Sequence, residues 1–256
     1  MERLILVTND DGYDAPGIKA LIEIARGFGR VVAIAPKDAQ SGKSHSITTY
    51  SPLYPELIEK EEGYELYSLN GTPVDCVKYA TDYHLKGEKV DLVLSGINHG
   101  SNAATNILYS GTMGAAIEGS FYDAPAIGFS HLSHDESSDL AASRVYVERI
   151  IRDIVDAAPE TPFCLNVNIP DLPLEQIRGM KVVRQNRGHW VEDFEPRRDP
   201  RNKEYFWLSG RFINHESEAT DTDLAALKQG YVSIVPIQVD MTSYAQMEST
   251  TDIFIK

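Results

Sequence analysis

Two adjacent carboxylates, Asp10 and Asp11, end an apolar run that begins at Leu4. Such a run, closed by a turn signal, is typical of a buried parallel strand. Groups just past the carboxyl end of that strand face the ligand crevice of an open α/β sheet. Because adjacent carboxylates repel each other, both stay ionised only beside a positive charge, and Mg²⁺ or Mn²⁺ suits these hard oxygen ligands. The alternative is a polar turn in which an Asp caps a helix.

Two more predicted strands end in polar groups of the same kind. Ser41 follows the apolar strand 30–36, and Asn98 ends the run 90–98. Carboxylate, hydroxyl and amide oxygens are ligands of a hard cation that keeps open positions for water and substrate. The segment 40–44 resembles part of a P-loop, but the required first glycine is missing, so a triphosphate cradle is not expected.

A small-residue helix predicted from Met113 is preceded by Ser110, Gly111 and Thr112. Free backbone N–H groups, two hydroxyls and a positive dipole end are a common way to hold a phosphate. Glycines let the backbone approach an anion closely, and Gly100 precedes this segment. An ordinary helix N-cap explains the same residues equally well.

The elements that must position these residues alternate between strands and helices. Strand, helix and strand within the first 36 residues form a βαβ unit, which predicts an α/β fold. Strands are expected at 4–8, 30–36, 47–53, 64–69, 90–98, 124–130, 164–170 and 231–237, an antiparallel ribbon at 204–208, and helices at 18–28, 73–85, 113–121, 138–158 and 221–229.

The composition changes near residue 181, where charged and aromatic residues become frequent. We therefore expect a main domain over 1–180 and a smaller β-rich extension over 181–256. The extension has no linker and is expected to pack on, or be exchanged between, protomers.

The formal charge of −14 argues against binding of duplex nucleic acid or an anionic membrane surface. A compact phosphorylated substrate stays possible where a cation offsets the local field. Cys76 and Cys164 belong to no paired motif, so we expect both to fill core space rather than form a disulfide or a zinc site. With no secretion signal or membrane span apparent, a cytoplasmic enzyme is expected.

Several distinctive motifs follow one another along the chain. They are the run 5–12 with Ala15-Pro16-Gly17, Ala35-Pro36 before Gln40-Ser41-Gly42, Asn70-Gly71-Thr72-Pro73, Ser95-Gly96-Ile97-Asn98, Tyr109-Ser110-Gly111-Thr112 and Gly230-Tyr231-Val232-Ser233-Ile234. Together these motifs resemble the SurE family of survival-protein nucleotidases over nearly the whole chain. The sequence departs from the family pattern at Ala104, Met113 and Val235, none of which is an expected ligand.

The resemblance implies a metal-dependent 5′/3′-nucleotidase that removes phosphate from nucleoside monophosphates and, in some members, trims short polyphosphate. It also implies a Rossmann-like domain, three layers deep, with a C-terminal part swapped between subunits of a homodimer or homotetramer. One Mg²⁺ or Mn²⁺ per subunit is expected. The matching metal ligands are Asp10, Asp11, Ser41 and Asn98; Asn9 matches the active-site asparagine, and the expected phosphate contacts are Gly42, Asn98, Gly100, Asn102, Ser110, Gly111 and Thr112.

For the chemistry we favour in-line attack of an activated water, with Asp10 or Asp11 orienting it; an aspartyl-phosphate intermediate is the rival route. His45 and His99 are candidate acids for the leaving group. The pair His131 and His134 is expected on the surface.

Other functions fit the sequence less well. One is a nucleotide- or phosphate-binding protein without turnover, and another is a broad-specificity acid phosphatase or exopolyphosphatase. A dinucleotide oxidoreductase is not expected, because the first strand ends in Asn-Asp-Asp-Gly rather than in the glycine-rich turn of that class.

Overall fold

The computed structural model describes residues 2–135 and 137–255. The strands are β1 (Leu4–Thr8), β2 (Arg30–Pro36), β3 (Pro55–Glu61), β4 (Tyr64–Leu69), β5 (Leu92–His99), β6 (Ala126–His131), β7 (Cys164–Ile169), β8 (Met180–Val182), β9 (Gly188–Arg198), β10 (Glu204–Asn214) and β11 (Val232–Ile237). The α-helices are α1 (Pro16–Ala25), α2 (Pro73–Tyr79), α3 (Gly111–Gly119), α4 (Ala141–Ala157), α5 (Asp223–Lys228) and α6 (Tyr244–Phe254).

Nine strands of the described chain form one mostly parallel sheet, in the order β3-β4-β2-β1-β5-β6-β7-β11-β8. The six central strands from β4 to β7 run parallel. Strand β3 runs antiparallel to β4, and β11 runs antiparallel to β7 but parallel to β8. Strand β1 lies between β2 and β5. The carboxyl ends of these three neighbours therefore meet at one edge of the sheet, where Asp10, Ser41 and Asn98 follow or end them.

Helices cover both faces of the sheet, which confirms the predicted three-layer α/β fold. Side chains alternate along β1, so that Ile5 and Val7 pack with helices α1 and α4. Leu4 and Leu6 point to the other face and pack with α2 and α3. Apolar residues on both sides of β1 explain why this strand appears in the sequence as an uninterrupted hydrophobic run.

The structure differs from the sequence prediction beside β4. The strand expected at 47–53 is wrong: that segment is irregular, and the strand paired antiparallel with β4 is β3, at 55–61. All residues of β3 are exposed, and four of them are charged, as is common for edge strands. Such a strand has no apolar alternation to reveal it, whereas Ile47 and Tyr50 gave residues 47–53 a misleading β propensity.

Two helical segments also differ from expectation. The helix predicted at 73–85 ends at Tyr79, and the chain continues as a π-helical turn over Ala80–His84. Helix α6 was not predicted. Its described residues are all exposed, so it shows no buried apolar stripe.

The C-terminal part of the chain contributes two strands to the main sheet and forms a separate two-stranded sheet. Strands β8 and β11 join the sheet beside β7, so the sheet extends beyond the boundary expected at residue 181. Strands β9 and β10 form a separate antiparallel ribbon, longer than the predicted 204–208. We call this hairpin the ribbon.

Both cysteines, Cys76 and Cys164, are buried and free, as expected. Burial raises the pKa of the Cys164 thiol to about 12, so it stays protonated in the core. Across 2–135 and 137–255, no helix has the length and apolar character needed to cross a membrane.

Candidate active site

A cavity of about 550 Å³ opens at the carboxyl edge of the sheet. Its walls come from the ends of β1 and β5, the loop after β2, the turn before α3, and the ribbon. The lining residues are Asp10, Ser41, Gly42, Asn98, His99, Gly100, Ser101, Asn102, Asn106, Tyr109, Ser110, His134, Trp190, Glu192, Leu208, Ser209 and Gly210. Most of the residues predicted from the sequence therefore line a single cavity.

Asp10 is nearly buried, with only 4% of its surface exposed. The hydroxyl of Thr112 donates a hydrogen bond to Asp10 Oδ1. Burial, together with the charge of Asp11, raises the pKa of Asp10 to about 6. The ionised carboxylate is therefore held at an energetic cost that a nearby cation would remove.

The loop after β2 is tied directly to the backbone of Asp10. The amide nitrogen of Gln40 donates to the Asp10 carbonyl oxygen at 2.7 Å, which places the next residue, Ser41, beside the cavity. Gly42 follows with a φ of +73°, a left-handed conformation that glycine adopts without steric strain. This glycine lets the chain turn at the cavity wall.

Asp11 lies next to the end of β5 rather than among the residues that line the cavity. Its Oδ2 accepts a hydrogen bond from the backbone nitrogen of His99 at 3.3 Å and lies 3.6 Å from the His99 ring atom Nδ1. Asn98 donates its side-chain nitrogen to the Gly100 carbonyl at 2.7 Å. This bond fixes the Asn98 amide and leaves its oxygen as the end suited to binding a cation.

Asn9 lies behind the carboxylates. Its side chain is fully buried, and its amide nitrogen donates to the Gly12 carbonyl at 2.8 Å. Asn9 does not line the cavity, so its contacts here are those of a residue that shapes the turn carrying Asp10 and Asp11. The carbonyl oxygen of its side chain has no hydrogen-bond partner among the described residues.

The beginning of α3 packs against Asp10. Ser110 is the N-cap, and its hydroxyl accepts a hydrogen bond from the Met113 backbone nitrogen at 3.0 Å. A Cβ added to Gly111 would lie 2.8 Å from the Asp10 Cβ, so only glycine fits there. Ser110 therefore caps the helix, as one of the two expectations states, and it also lines the cavity.

A hydrogen-bonded network of buried amides supports Asn102. Asn168 Oδ1 accepts from the Asn102 backbone nitrogen, and Asn166 Nδ2 donates to the Asn102 carbonyl, each at 2.8 Å. The Asn102 side chain donates to the hydroxyl of Ser130 at 2.8 Å. Both main-chain groups and the side chain of Asn102 are therefore held in place.

The donor set fits a hard divalent cation. Among the residues described, no group of three or more His, Cys, Asp or Glu side chains is placed to hold a metal. Two carboxylates, the Ser41 hydroxyl and the Asn98 amide oxygen instead give an oxygen-only set at one edge of the sheet. The raised pKa of Asp10 points the same way, because a cation would stabilise its ionised form.

Three of the histidines considered from sequence occupy different places. His45 bonds the buried Glu118 at 2.8 Å and lines a neighbouring cavity of about 650 Å³ instead of this one. His99 lines the cavity, and its side chain is only 4% exposed. His134 is exposed, as expected, but its ring lies over Gly100 at the cavity wall.

The expectation that His131 lies on the surface is wrong. Strand β6 extends through this residue, and its side chain is buried, with Nδ1 3.0 Å from the Ser143 hydroxyl of α4. Burial lowers the pKa of His131. The sequence pattern failed because the strand continues one residue past the apolar run.

Sequence reasoning missed the residues that the ribbon and the turn before α3 bring to the cavity. Trp190 is the clearest case: its Nε1 donates to Asn106 Oδ1 at 2.7 Å, which fastens the ribbon to the turn. These residues lie 84 positions apart, so no local motif joins them. The aromatic residues of the ribbon were the available signal.

Fold and site together define an α/β protein with a Rossmann-like sheet and an oxygen-lined, acidic crevice at its carboxyl edge. The chain belongs to the SurE family, since the family described as "Survival protein SurE" matches residues 5–192.

This chain is similar to several relatives and to a solved structure over nearly its full length. The chain is 46% identical to "5'-nucleotidase SurE" of Christiangramia forsetii, over 94% of this chain and 93% of the relative. It is 44% identical to the protein of the same description from Flavobacterium psychrophilum, over 96% and 95%. The crystal structure of the SurE protein from Aquifex aeolicus superposes with a TM-score of 0.82 at 35% identity, covering 98% of this chain and 99% of that one.

Proposed function

We propose that the chain is a metal-dependent phosphomonoesterase that hydrolyses nucleoside 5′- and 3′-monophosphates to nucleoside and phosphate. One observation carries the proposal: Asp10, Ser41, Asn98 and Ser110, from four separate segments, line a single cavity. The description that the relatives share, 5'-nucleotidase SurE, supports the substrate class. Short polyphosphate is a second substrate consistent with this site.

The proposed cofactor is one Mg²⁺ or Mn²⁺ per chain, held by Asp10, Asp11, Ser41 and Asn98. When bound, the cation would supply positive charge that stabilises the carboxylates and polarises the phosphoryl group. Hydrogen bonds within the chain orient three of these proposed ligands. Thr112 orients Asp10, the His99 backbone orients Asp11, and Gly100 orients the Asn98 amide.

Five of the seven proposed phosphate contacts line the cavity, namely Gly42, Asn98, Gly100, Asn102 and Ser110, whereas Gly111 and Thr112 are buried beside it and are not lining residues. Backbone N–H groups of Gly111 and Thr112, at the start of α3, and the Ser110 hydroxyl would gather the charge that develops on the phosphoryl oxygens. Gly42, Gly100, Asn98 and Asn102 complete the set. Asn9 shapes the turn that carries the carboxylates.

Water is the proposed nucleophile rather than Asp10. The Asp10 carboxylate is already bonded by Thr112 and packed against Gly111, so little of it is free to approach phosphorus in line. Asp11 is more exposed and is suited to orient the attacking water. His99, which lines the cavity, is better placed than His45 to protonate the leaving group.

Phosphate release tests this function directly. EDTA-treated protein is incubated with a panel of nucleoside 5′- and 3′-monophosphates, with and without added Mn²⁺ or Mg²⁺. We expect release only when the cation is present. Cation-dependent binding of nucleotides without release would instead indicate a binding protein.

We also propose that residues 1–180 form the catalytic domain and that 181–256 pack or exchange between subunits of a homodimer or homotetramer. The support is the exposed apolar surface of the ribbon and α6, which includes Phe194, Phe206, Met247 and Phe254. The cytoplasmic location expected from the sequence stays a prediction.

A further inference from the structure

The cavity at the sheet edge is larger than a phosphate group requires. Its volume of about 550 Å³ lies in the range of pockets that enclose whole small-molecule ligands. The sheet edge contributes mainly polar groups, whereas the ribbon contributes the side chains of Trp190 and Leu208. The part lined by the ribbon therefore has room and apolar surface for the remainder of a phosphate ester.

Trp190 is held in a fixed position at this wall. Its Nε1 donates to Asn106 Oδ1 at 2.7 Å, and its ring meets the Phe212 ring edge-on, with centroids 6.0 Å apart at 70°. These two aromatic residues are directly paired across the ribbon. Because the indole is anchored before any ligand arrives, binding against it costs little conformational entropy.

The charges of the cavity favour one orientation of a phosphate ester. Among the described residues that line it, the ribbon supplies the carboxylate of Glu192 and no lysine or arginine. A phosphate dianion is repelled by Glu192. At the sheet edge it meets the start of α3 and the proposed cation site instead, so the uncharged part of the ester is directed towards the ribbon.

We propose that Trp190 forms the base-binding wall of this cavity and stacks against the nucleobase of a bound nucleoside monophosphate. The proposal rests on the proposed function and adds the group that distinguishes nucleotides from other phosphate esters. Tyr109 lines the same cavity and offers a second aromatic surface. Base stacking on an aromatic side chain is strong enough to raise kcat/KM by about tenfold or more.

The test compares AMP with ribose 5-phosphate, which carries the same ester without the base. We expect the wild-type protein with Mn²⁺ to prefer AMP by about tenfold or more in kcat/KM. Trp190→Leu should remove most of this preference through a higher KM for AMP, with ribose 5-phosphate unchanged. Trp190→Phe keeps an aromatic ring and should keep most of the preference.

Trp207→Leu is the matched control, because Trp207 alternates to the opposite face of the same ribbon and does not line the cavity. This substitution should leave kcat/KM unchanged for both AMP and ribose 5-phosphate. Fluorescence gives a readout independent of turnover: in Trp207→Phe, Trp190 is the only tryptophan left, and its emission should be quenched by AMP but not by ribose 5-phosphate.

Three results would overturn the proposal. The first is equal kcat/KM for the two substrates in the wild-type protein, and the second is an equal loss on both substrates in Trp190→Leu, which indicates a merely structural role. The third is no quenching by AMP. If the wild-type protein hydrolyses neither substrate, the proposed function itself fails, a result separate from these three.

Discussion

At the scale of single residues, the site is built around Asp10, a carboxylate whose ionised form is destabilised by burial. Asp10 is almost completely buried beside a second carboxylate, and its pKa rises to about 6 as a result. The fold tolerates this because Thr112 donates to it and because a cation would reverse the penalty. A destabilised charge of this kind is typical of functional positions.

Replacing this charge should separate stability from activity. Because the pKa of Asp10 in the folded state, about 6, lies above its ordinary value of 3.8, the folded protein loses stability as pH rises between these values. The loss reaches about 3 kcal/mol above pH 6. In EDTA, Asp10→Asn should therefore be more stable than wild type at pH 8 by up to this amount, and about equally stable at pH 4, while metal-dependent phosphate release is abolished.

Urea unfolding at the two pH values measures this effect, with Asp14→Asn, at an exposed position, as the control. An Asp10→Asn variant that unfolds at lower urea than wild type at pH 8 would contradict the account. Retained activity would remove Asp10 from the site.

The amide network below Asn102 leads to a second prediction at this scale. Asn168→Asp keeps the acceptor for the Asn102 backbone but replaces the donor to Asn166 Oδ1 with an oxygen. A buried, unpaired and repelling carboxylate should lower the free energy of unfolding by about 2 kcal/mol or more and raise KM for phosphate esters. Chemical denaturation and steady-state kinetics check both effects.

The control is Asn214→Asp, on the exposed surface, which should change neither the free energy of unfolding nor KM. An unchanged KM in Asn168→Asp would count against a role of this network in positioning Asn102.

At the scale of elements, the contact between the start of α3 and Asp10, in the turn after β1, decides the geometry of the site. Gly111 is the residue that permits it, since a Cβ there would lie 2.8 Å from the Asp10 Cβ and 2.9 Å from Oδ2. Helix α3 carries both the N–H groups that we propose bind phosphate and the Thr112 hydroxyl that bonds Asp10. Its approach to β1 therefore couples the carboxylate to the proposed phosphate site.

Gly111→Ala should push α3 away from Asp10. We expect phosphate release to fall by about 100-fold, because small displacements of positioned groups have effects of this size. Gly63→Ala is the control: it makes the same chemical change in open space, at a φ of +71°, so it should lose some stability and no activity. Wild-type activity in Gly111→Ala would show that this packing does not matter for the site.

Much of the central sheet could be predicted because its strands are continuous apolar runs that end in polar turns. The same signal placed Asp10, Ser41 and Asn98 at one edge. Strand β3 and helix α6 escaped prediction because both are exposed and show no periodic burial. The contact between Trp190 and Asn106 escaped because it joins segments far apart in sequence, and tertiary packing of that kind leaves no local pattern.

At the scale of the whole molecule, the ribbon stands out because its large apolar side chains are not buried within a single chain. It exposes large apolar side chains, among them Phe194 at 63% and Phe206 at 54%. The chain also carries a formal charge of −14, which disfavours association driven by charge alone. Burial of the ribbon against another copy of the chain, as proposed above, would remove this apolar surface from water.

Disrupting that surface should reduce the oligomeric state. We expect the wild-type protein to sediment as a dimer or tetramer and the double variant Phe194→Glu/Phe206→Glu to shift towards the monomer, because two buried carboxylates per subunit oppose association. Tyr50→Glu, at a position 91% exposed outside the ribbon, is the control and should leave the assembly intact. A wild-type protein that sediments as a monomer would contradict the proposed assembly.

Anomalous diffraction from crystals soaked in Mn²⁺ shows whether one divalent cation is held by oxygens from three neighbouring strand ends. We expect one manganese peak per chain in contact with the side-chain oxygens of Asp10, Asp11, Ser41 and Asn98. A map with no peak among these four side chains, or with its peak elsewhere in the protein, would rule out this cation site.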